Sequence, residues 1–324
     1  MSKLKHQLGK IMKSEYAVMV LLLVIFACLA MTTPLFLTGS NILNIINRTA
    51  ATGMVAIGMT FVICTGGIDL SVGGQVTLIS VVGTFLMMGG MNPWIALILM
   101  LVMGVAIGAF NGLFVSYLKL PAFMVTLAVM NITNGVAYFL TSGRTYYEIP
   151  DDFIQISMAD VGGIPLPVIY LIVFAVIAQL VLKRFTLGRR IMALGGNAKG
   201  AWFAGVNVKA NTLFAYMISG VMCGVASVLM VSRLMAVSAT IGDGMEMDAI
   251  AASVLGGTAL TGGRGNIIGT LAGAIILMSI DNWMNLISVD NFLREAVKGL
   301  IILLGMVFDA WRKGDFSRNK LREV

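Results

Sequence analysis

Residues 70–118 contain no charged side chain. An uncharged, largely apolar run of this length is hard to place in a soluble domain. In a bilayer it is expected, because a charge near the centre of a spanning helix costs about 2.5–3.5 kcal/mol on insertion scales. A span needs about 20 predominantly apolar residues. Reading the whole chain for stretches with few or no charges gives ten candidate spans, at 16–36, 44–64 (with Arg48 near its start), 71–89, 94–118, 121–141, 167–182, 211–231, 249–260, 266–280 and 292–308 (with Arg294, Glu295 and Lys298). The composition agrees. The 324 residues are 58% hydrophobic and 11% charged, whereas a soluble domain carries about 25% charged residues. The expected fold class is an all-α membrane protein of about ten transmembrane helices, folded as a single transmembrane domain over 1–324.

The charges that remain are sorted by segment. The central stretch 183–210 carries six basic residues (Lys183, Arg184, Arg189, Arg190, Lys199, Lys209), and no acidic residue lies between Asp160 and Asp243. Basic loops are retained on the cytoplasmic side. The tails 1–15 and 310–324 are basic as well, while the segments after the fifth and seventh spans are acidic on balance. An even count of crossings then puts both termini and the central loop in the cytoplasm, with the chain multi-pass in the inner or plasma membrane. The basic N-terminus followed by an apolar run has the look of a signal peptide, but the many later spans favour an uncleaved first helix. The net charge of +7 is accounted for by tails and loop, so it is topology and not a nucleic-acid footprint.

Within the basic loop, Asn197 is placed to cap a short helix. Ala198, Ala201 and Trp202 fall at i, i+3 and i+4, and Gly205 is placed to end it. Such a helix beneath the membrane is either a docking surface or a solvated segment lying on headgroups.

Two glycine-rich loops stand out. Thr65-Gly-Gly-Ile-Asp-Leu-Ser-Val-Gly-Gly74 and Thr258-Ala-Leu-Thr-Gly-Gly-Arg-Gly-Asn266 each hold Thr-Gly-Gly followed by one charge, Asp69 or Arg264. Interrupted, glycine-rich helices in corresponding places point to a transport pathway, since unwound backbone at membrane depth needs protein or water to satisfy it. Tight turns at the membrane surface are the plainer alternative. Counting spans puts both loops on the cytoplasmic side, whereas an inverted five-helix repeat would place matching elements on opposite sides. The second loop lacks the Lys-Ser/Thr of a phosphate-binding P-loop, so ATP hydrolysis by this chain is not expected. Gly104, Gly108 and Gly112 form one small-residue row and Gly265, Gly269 and Gly273 another. Rows of this kind let helix backbones approach closely in lipid.

Polar side chains inside the spans include Gln75, Asn111, Asn131, Thr133, Asn134 and Gln179, with Asp281, Asn282 and Trp283 at the end of the ninth. Amides beside aromatic faces suit a neutral polyhydroxylated solute, and they suit helix-to-helix hydrogen bonds equally well. Glu295 and Lys298 lie one turn apart and can pair; Lys298 can instead line a vestibule. His6 is the only histidine, and the three cysteines are widely separated. No metal cluster, disulfide framework or histidine-based triad follows from that inventory, and acid–base catalysis lacks its usual groups.

The Thr65-Gly-Gly-Ile-Asp-Leu-Ser-Val-Gly73 loop, the Gly188-Arg-Arg-Ile-Met-Ala-Leu-Gly-Gly-Asn-Ala-Lys199 stretch, Leu255-Gly-Gly-Thr258 and Lys298-Gly-Leu-Ile-Ile-Leu-Leu304 together resemble the ribose-type sugar permeases of ABC importers, over about residues 41–309. That resemblance implies the type II importer permease fold. It also implies a second permease, identical or related, together with cytoplasmic ATPase subunits and an extracytoplasmic sugar-binding protein. ATP and Mg would sit on the partner ATPase, leaving no cofactor on this chain. Residues 188–205 would form the ATPase-coupling helix, with Gly188, Arg189, Arg190, Gly195, Asn197, Lys199, Ala201 and Gly205 as its candidate positions. Thr65, Gly66, Gly67, Asp69 and Ser71 would belong to the pathway or its gate, joined by Asn111, Asn131, Asn134 and Trp283 as candidates, with Arg264 and Lys298 as further charged positions. The other class to weigh is a self-sufficient, ion-coupled secondary transporter with Asp69 as its buried carboxylate.

Overall fold

The computed structural model describes residues 17–290, 293–300 and 303, with side chains from residue 22 onward. Both basic tails, and part of the tenth expected span, lie outside the described residues. The elements in chain order are α1 Ala17–Thr32, α2 Gly39–Cys64, α3 Val72–Met88, α4 Pro93–Ser116, α5 Ala122–Thr141 and α6 Asp151–Met158, then the hairpin β1 Asp160–Val161 and β2 Ile164–Pro165. They continue with α7 Leu166–Lys183, α8 Thr186–Gly196, α9 Ala198–Phe203, α10 Val208–Leu234, α11 Met245–Leu255 and α12 Ile267–Leu286. Residues 293–300 are helical too, as α13.

The expectation of ten spans is matched in part. Among the described residues, six helices are long and apolar enough to cross a membrane: α2, α4, α5, α7, α10 and α12. The stretches at 16–36 and 71–89 yield shorter apolar helices of 16 and 17 residues. The stretch at 249–260 yields the 11-residue α11, which at 1.5 Å per residue covers about half of a hydrocarbon core. It is short because Gly244 at φ +80° opens it and Gly256-Gly257, the latter at φ +89°, closes it.

Two further loops hold more structure than their polarity suggests. The acidic segment folds into α6 and a tight hairpin, whose turn residues Gly162 and Gly163 both take positive φ, as a two-residue turn demands. The basic loop contains two helices, α8 and α9.

α2 and α10 form the centre. The apolar windows of α2 and α10 are 83% and 72% buried, against 22% for α4 and 28% for α5 and α7, so those last three present a broad face outward. α10 packs along α4, α2 and α3, and α2 also packs against α11, α12 and α7. The α4–α10 seam is backbone on backbone. A Cβ at Gly104 would overlap the Gly220 carbonyl, one at Gly108 the Tyr216 carbonyl, and one at Gly220 the Gly104 carbonyl. The second glycine row serves α12 in the same way, with Gly269 against Gly256 and Gly273 against Ala252. Packing at this range is what replaces the hydrophobic effect between helices in lipid.

Candidate functional site

Asp69 occupies the break between α2 and α3 and is fully buried. Its carboxylate is held by local and distant donors. Oδ1 accepts from the Ser71 amide at 3.1 Å and from the Ser71 hydroxyl, an Asx-turn that starts α3. Oδ2 accepts from Ser219 Oγ on α10 at 3.2 Å, with Gln75 Nε2 at 3.5 Å. Ser71 Oγ in turn accepts from Gln75 Nε2 at 2.8 Å and from Asn111 Nδ2 on α4 at 2.7 Å. The cluster therefore ties α3, α4 and α10 through fully buried side chains, with the negative charge at a helix N-terminus, where it is favoured.

The cluster is not fully satisfied. Gln75 Oε1, Asn111 Oδ1 and the Tyr216 hydroxyl are buried with no hydrogen-bond partner. Tyr216 lies one turn from Ser219, beside Gly67, where an added Cβ would be 2.8 Å from its hydroxyl. Unpaired polar groups at this density are unusual inside a protein.

The two glycine loops meet each other. The Gly263 amide donates to the Cys64 carbonyl at 3.0 Å, and a Cβ at Gly262 would be 2.9 Å from the Gly66 nitrogen. The basic loop joins the same point: a Cβ at Gly195 would overlap the Cys64 carbonyl, and one at Gly263 would be 2.9 Å from Gly196 Cα. Three glycine-rich stretches, far apart in sequence, converge at one end of the bundle. Arg264 is exposed there, with its carbonyl accepting from the Ala259 amide at 3.1 Å.

From that junction the basic loop projects outward. Gly188 is buried against the Leu182 and Val181 backbone, while Arg189, Arg190 and Lys199 are exposed. Asn197 Oδ1 accepts from the Gly200 amide at 2.8 Å and caps α9. Ala201 is buried beneath, and Trp202 and Phe203 stand 64% and 80% exposed with their rings edge to face. Gly205, at φ +80°, turns the chain away.

The remaining candidates are scattered. Asn134 lies against Gly74 at the start of α3, its Oδ1 buried without a partner. Asn131 is exposed and donates to its own helix at Leu127, and Thr65 Oγ1 donates to Val62. Trp283 Nε1 donates to Thr32 Oγ1 at 2.7 Å and fastens α12 to α1. Lys298 does more than pair with Glu295. It lies 3.5 Å from Asp248 and 3.7 Å from Asp281, and Asp281 also meets Arg48 at 3.1 Å. Glu295 is the most distant partner, at 3.9 Å and largely exposed. Arg48 lies in the third turn of α2, which begins at Gly39. Ser219 and Tyr216 are the functional candidates that sequence reasoning missed; the one available signal was a serine within the glycine-rich stretch of an apolar helix.

A helical bundle with six helices long and apolar enough to cross a membrane among its described residues, a buried carboxylate between two helices and an exposed basic loop is the build of a multi-pass membrane permease. The chain belongs to the family described as branched-chain amino acid transport system / permease component, whose model matches residues 41–306. It is thus a transport component and not an enzyme. It is 37% identical to the ribose import permease protein RbsC of Bacillus subtilis (strain 168), with 89% of this chain and 90% of the relative covered. It is 35% identical to the D-allose transport system permease protein AlsC of Escherichia coli (strain K12), with 91% of each covered. It is 34% identical to the xylose transport system permease protein XylH of the same strain, with 86% of each covered. No solved structure matches the chain.

Proposed function

We propose that this chain is the membrane-spanning permease subunit of an ATP-driven ABC importer for a monosaccharide, ribose or a related pentose or hexose. The observation that carries the substrate class is the set of relatives. Three permeases matched over nearly their full length are named for ribose, D-allose and xylose, although the family description names branched-chain amino acids. Near-full-length relatives weigh more on substrate than a family label that spans many substrates.

In this reading the whole of 1–324 is one permease domain of about ten spans with the type II importer fold, in the inner or plasma membrane with both termini cytoplasmic. It works as a homodimer or as a heterodimer with a related permease. It draws sugar from an extracytoplasmic binding protein and is driven by cytoplasmic ATPase subunits, which hold the ATP and Mg. The Asp69 cluster lies on the pathway or its gate. The projecting segment from Gly188 to Gly205 is the ATPase contact, and its exposed Trp202 and Phe203 support that assignment. The convergence of Gly195 with Cys64 and Gly262 gives the contact a short mechanical route to the Asp69 break.

An ion-coupled secondary transporter is the competing class. Against it stands the state of the other buried carboxylates among the described residues: Asp248 and Asp281 are both ion-paired, which leaves Asp69 as the single candidate for carrying a coupling ion.

The deciding experiment purifies the tagged permease in mild detergent and assays ATPase activity with candidate sugar-binding proteins. Co-purification of an ATPase stimulated by one sugar-loaded binding protein is the expected result. A chain that purifies alone and exchanges sugar in liposomes without ATP would overturn the reading.

A further inference from the structure

Between α10 and α11 the chain runs without helix from 235 to 244, laid along α3 as a strap. One end is anchored where Val237 and Tyr146 exchange backbone hydrogen bonds, both at 2.9 Å. The Tyr146 ring meets Phe85, near the last turn of α3, at 5.0 Å. The other end reaches the first turns of α3. There the Gly242 amide donates to Thr77 Oγ1 at 3.1 Å, and the Glu246 carboxylate fills the space that a side chain at Gly73 would need. Burial alternates along the strap: Val237, Ala239 and Ile241 are buried, whereas Thr240 is exposed and Ser238 partly so. The inward side chains are thus apolar.

The face of α3 beneath the strap is polar. Gly73, Thr77, Ser80 and Thr84 stand at i, i+4, i+7 and i+11, which is one side of a helix, and the three hydroxyl residues are fully buried. A helical hydroxyl commonly bonds back to the carbonyl four residues earlier, as Thr77 does to Gly73, Thr141 to Ala137 and Ser227 to Cys223. Ser80 Oγ and Thr84 Oγ1 have no hydrogen-bond partner at all. Glu246 pairs with no cation among the described residues; its carboxylate is held by the amides of Gly244 and of Glu246 itself. Hydroxyls buried without partners are destabilising, so the apolar cover fits this face poorly. A carboxylate followed by a row of hydroxyls, each able to donate and accept, matches the mixed donors and acceptors around a sugar ring. We propose that this face of α3, with Glu246 at its start, is a sugar-contacting surface of the pathway, covered by the 235–244 strap in this conformation. The inference rests on the monosaccharide transport proposed above and carries the pathway from the Asp69 break along α3. Irregular backbone and an ionisable group at membrane depth are tolerated where they line such a path. Lifting the strap takes apolar side chains off the hydroxyls, and a sugar gives them partners, so opening and sugar passage favour each other.

The test compares the full-length parent with Ser80→Ala/Thr84→Val and with Glu246→Gln. The readouts are melting temperature and the rate of uptake of D-ribose, D-allose or D-xylose, whichever the parent carries fastest, at saturating sugar. Removing two hydroxyls that lack partners should leave the melting temperature of the double variant equal or higher, while its uptake falls about tenfold through the loss of two sugar hydrogen bonds. Glu246→Gln keeps the shape of the side chain and should slow uptake by a similar factor. Parent-like uptake in either variant overturns the inference, as does a lower melting temperature in the double variant, the signature of a purely structural role. Thr84→Cys tests the cover. A hydrophilic thiosulfonate should label it about tenfold or more faster during turnover than at rest, over the background of the parent's own cysteines, and equal labelling in the two states overturns the role of the strap. If the parent exchanges sugar in liposomes without ATP, the same variants are read in that exchange. Failure of the importer assignment and failure of this inference are therefore separate results.

Discussion

The Gly263 amide donates to the Cys64 carbonyl at 3.0 Å, so the loop after α11 is hydrogen-bonded directly to the end of α2. Gly195 lies against the same carbonyl, and there is no space for a side chain between them. The neighbouring Gly196 faces open space. Gly195→Ala is therefore expected to force backbone apart and to destabilise by about 1–3 kcal/mol, with loss of ATP-driven uptake. Gly196→Ala should stay within about 0.5 kcal/mol of the parent. Melting temperatures in detergent compare the two directly, and equal values would refute the packing argument.

Asp69→Asn turns one oxygen that accepts hydrogen bonds into a donor facing donors. Burial leaves no water to repair this, so a loss of about 1–3 kcal/mol is expected along with failure of uptake. Ser219→Ala removes a single donor and should cost less, about 0.5–1.5 kcal/mol. Retention of full uptake by Asp69→Asn would remove the cluster from the pathway.

Lys298→Met leaves Asp248 without its cation, whereas Asp281 keeps Arg48. Stability should fall, and adding Asp248→Asn should recover part of it, with a coupling of about 0.5–3 kcal/mol in the double-mutant cycle. Glu295→Gln tests the exposed member of the group and should change stability by less than about 1 kcal/mol. Strict additivity of the first pair would show that the contact carries no energy.

Trp202→Ala and Phe203→Ala remove rings that are largely exposed, so melting should change little, as for surface substitutions generally. If α9 is the ATPase contact, each should weaken co-purification of the ATPase by tenfold or more, as exposed aromatic anchors of an interface do. Asn197→Ala should act on the same interaction indirectly, by removing a cap that contributes about 1 kcal/mol to the helix.

The apolar runs located the long helices well because in lipid the absence of charge is itself the signal. The expected 121–141 differs from α5 by one residue at one end, and 167–182 differs from α7 by one residue at each end. Asn197 and Gly205 were equally legible, since capping and positive φ are local chemistry, and the glycine rows announced the close contacts that α4 and α12 make. What the sequence hid was whatever depends on distant partners. Nothing near Asp69 identifies Ser219 as its donor, and Lys298 has one visible partner one turn away while its nearer ones lie on α11 and α12. The short segment at 249–260 was legible but its bounds were misplaced, because the apolar stretch runs on into Leu260, past the glycines that end α11 at Leu255.

The α4–α10 seam bears on how this molecule moves. Side chains at most helix interfaces can change rotamer and let two helices slip or roll. Where Gly104 and Gly108 meet Gly220 and Tyr216 there are no rotamers to change, only main chain on main chain. The two helices thus behave as one girder, and the Asp69 cluster is bolted to it at Asn111 and Ser219. Any motion that leaves this seam intact carries α4, α10 and the Asp69 cluster together.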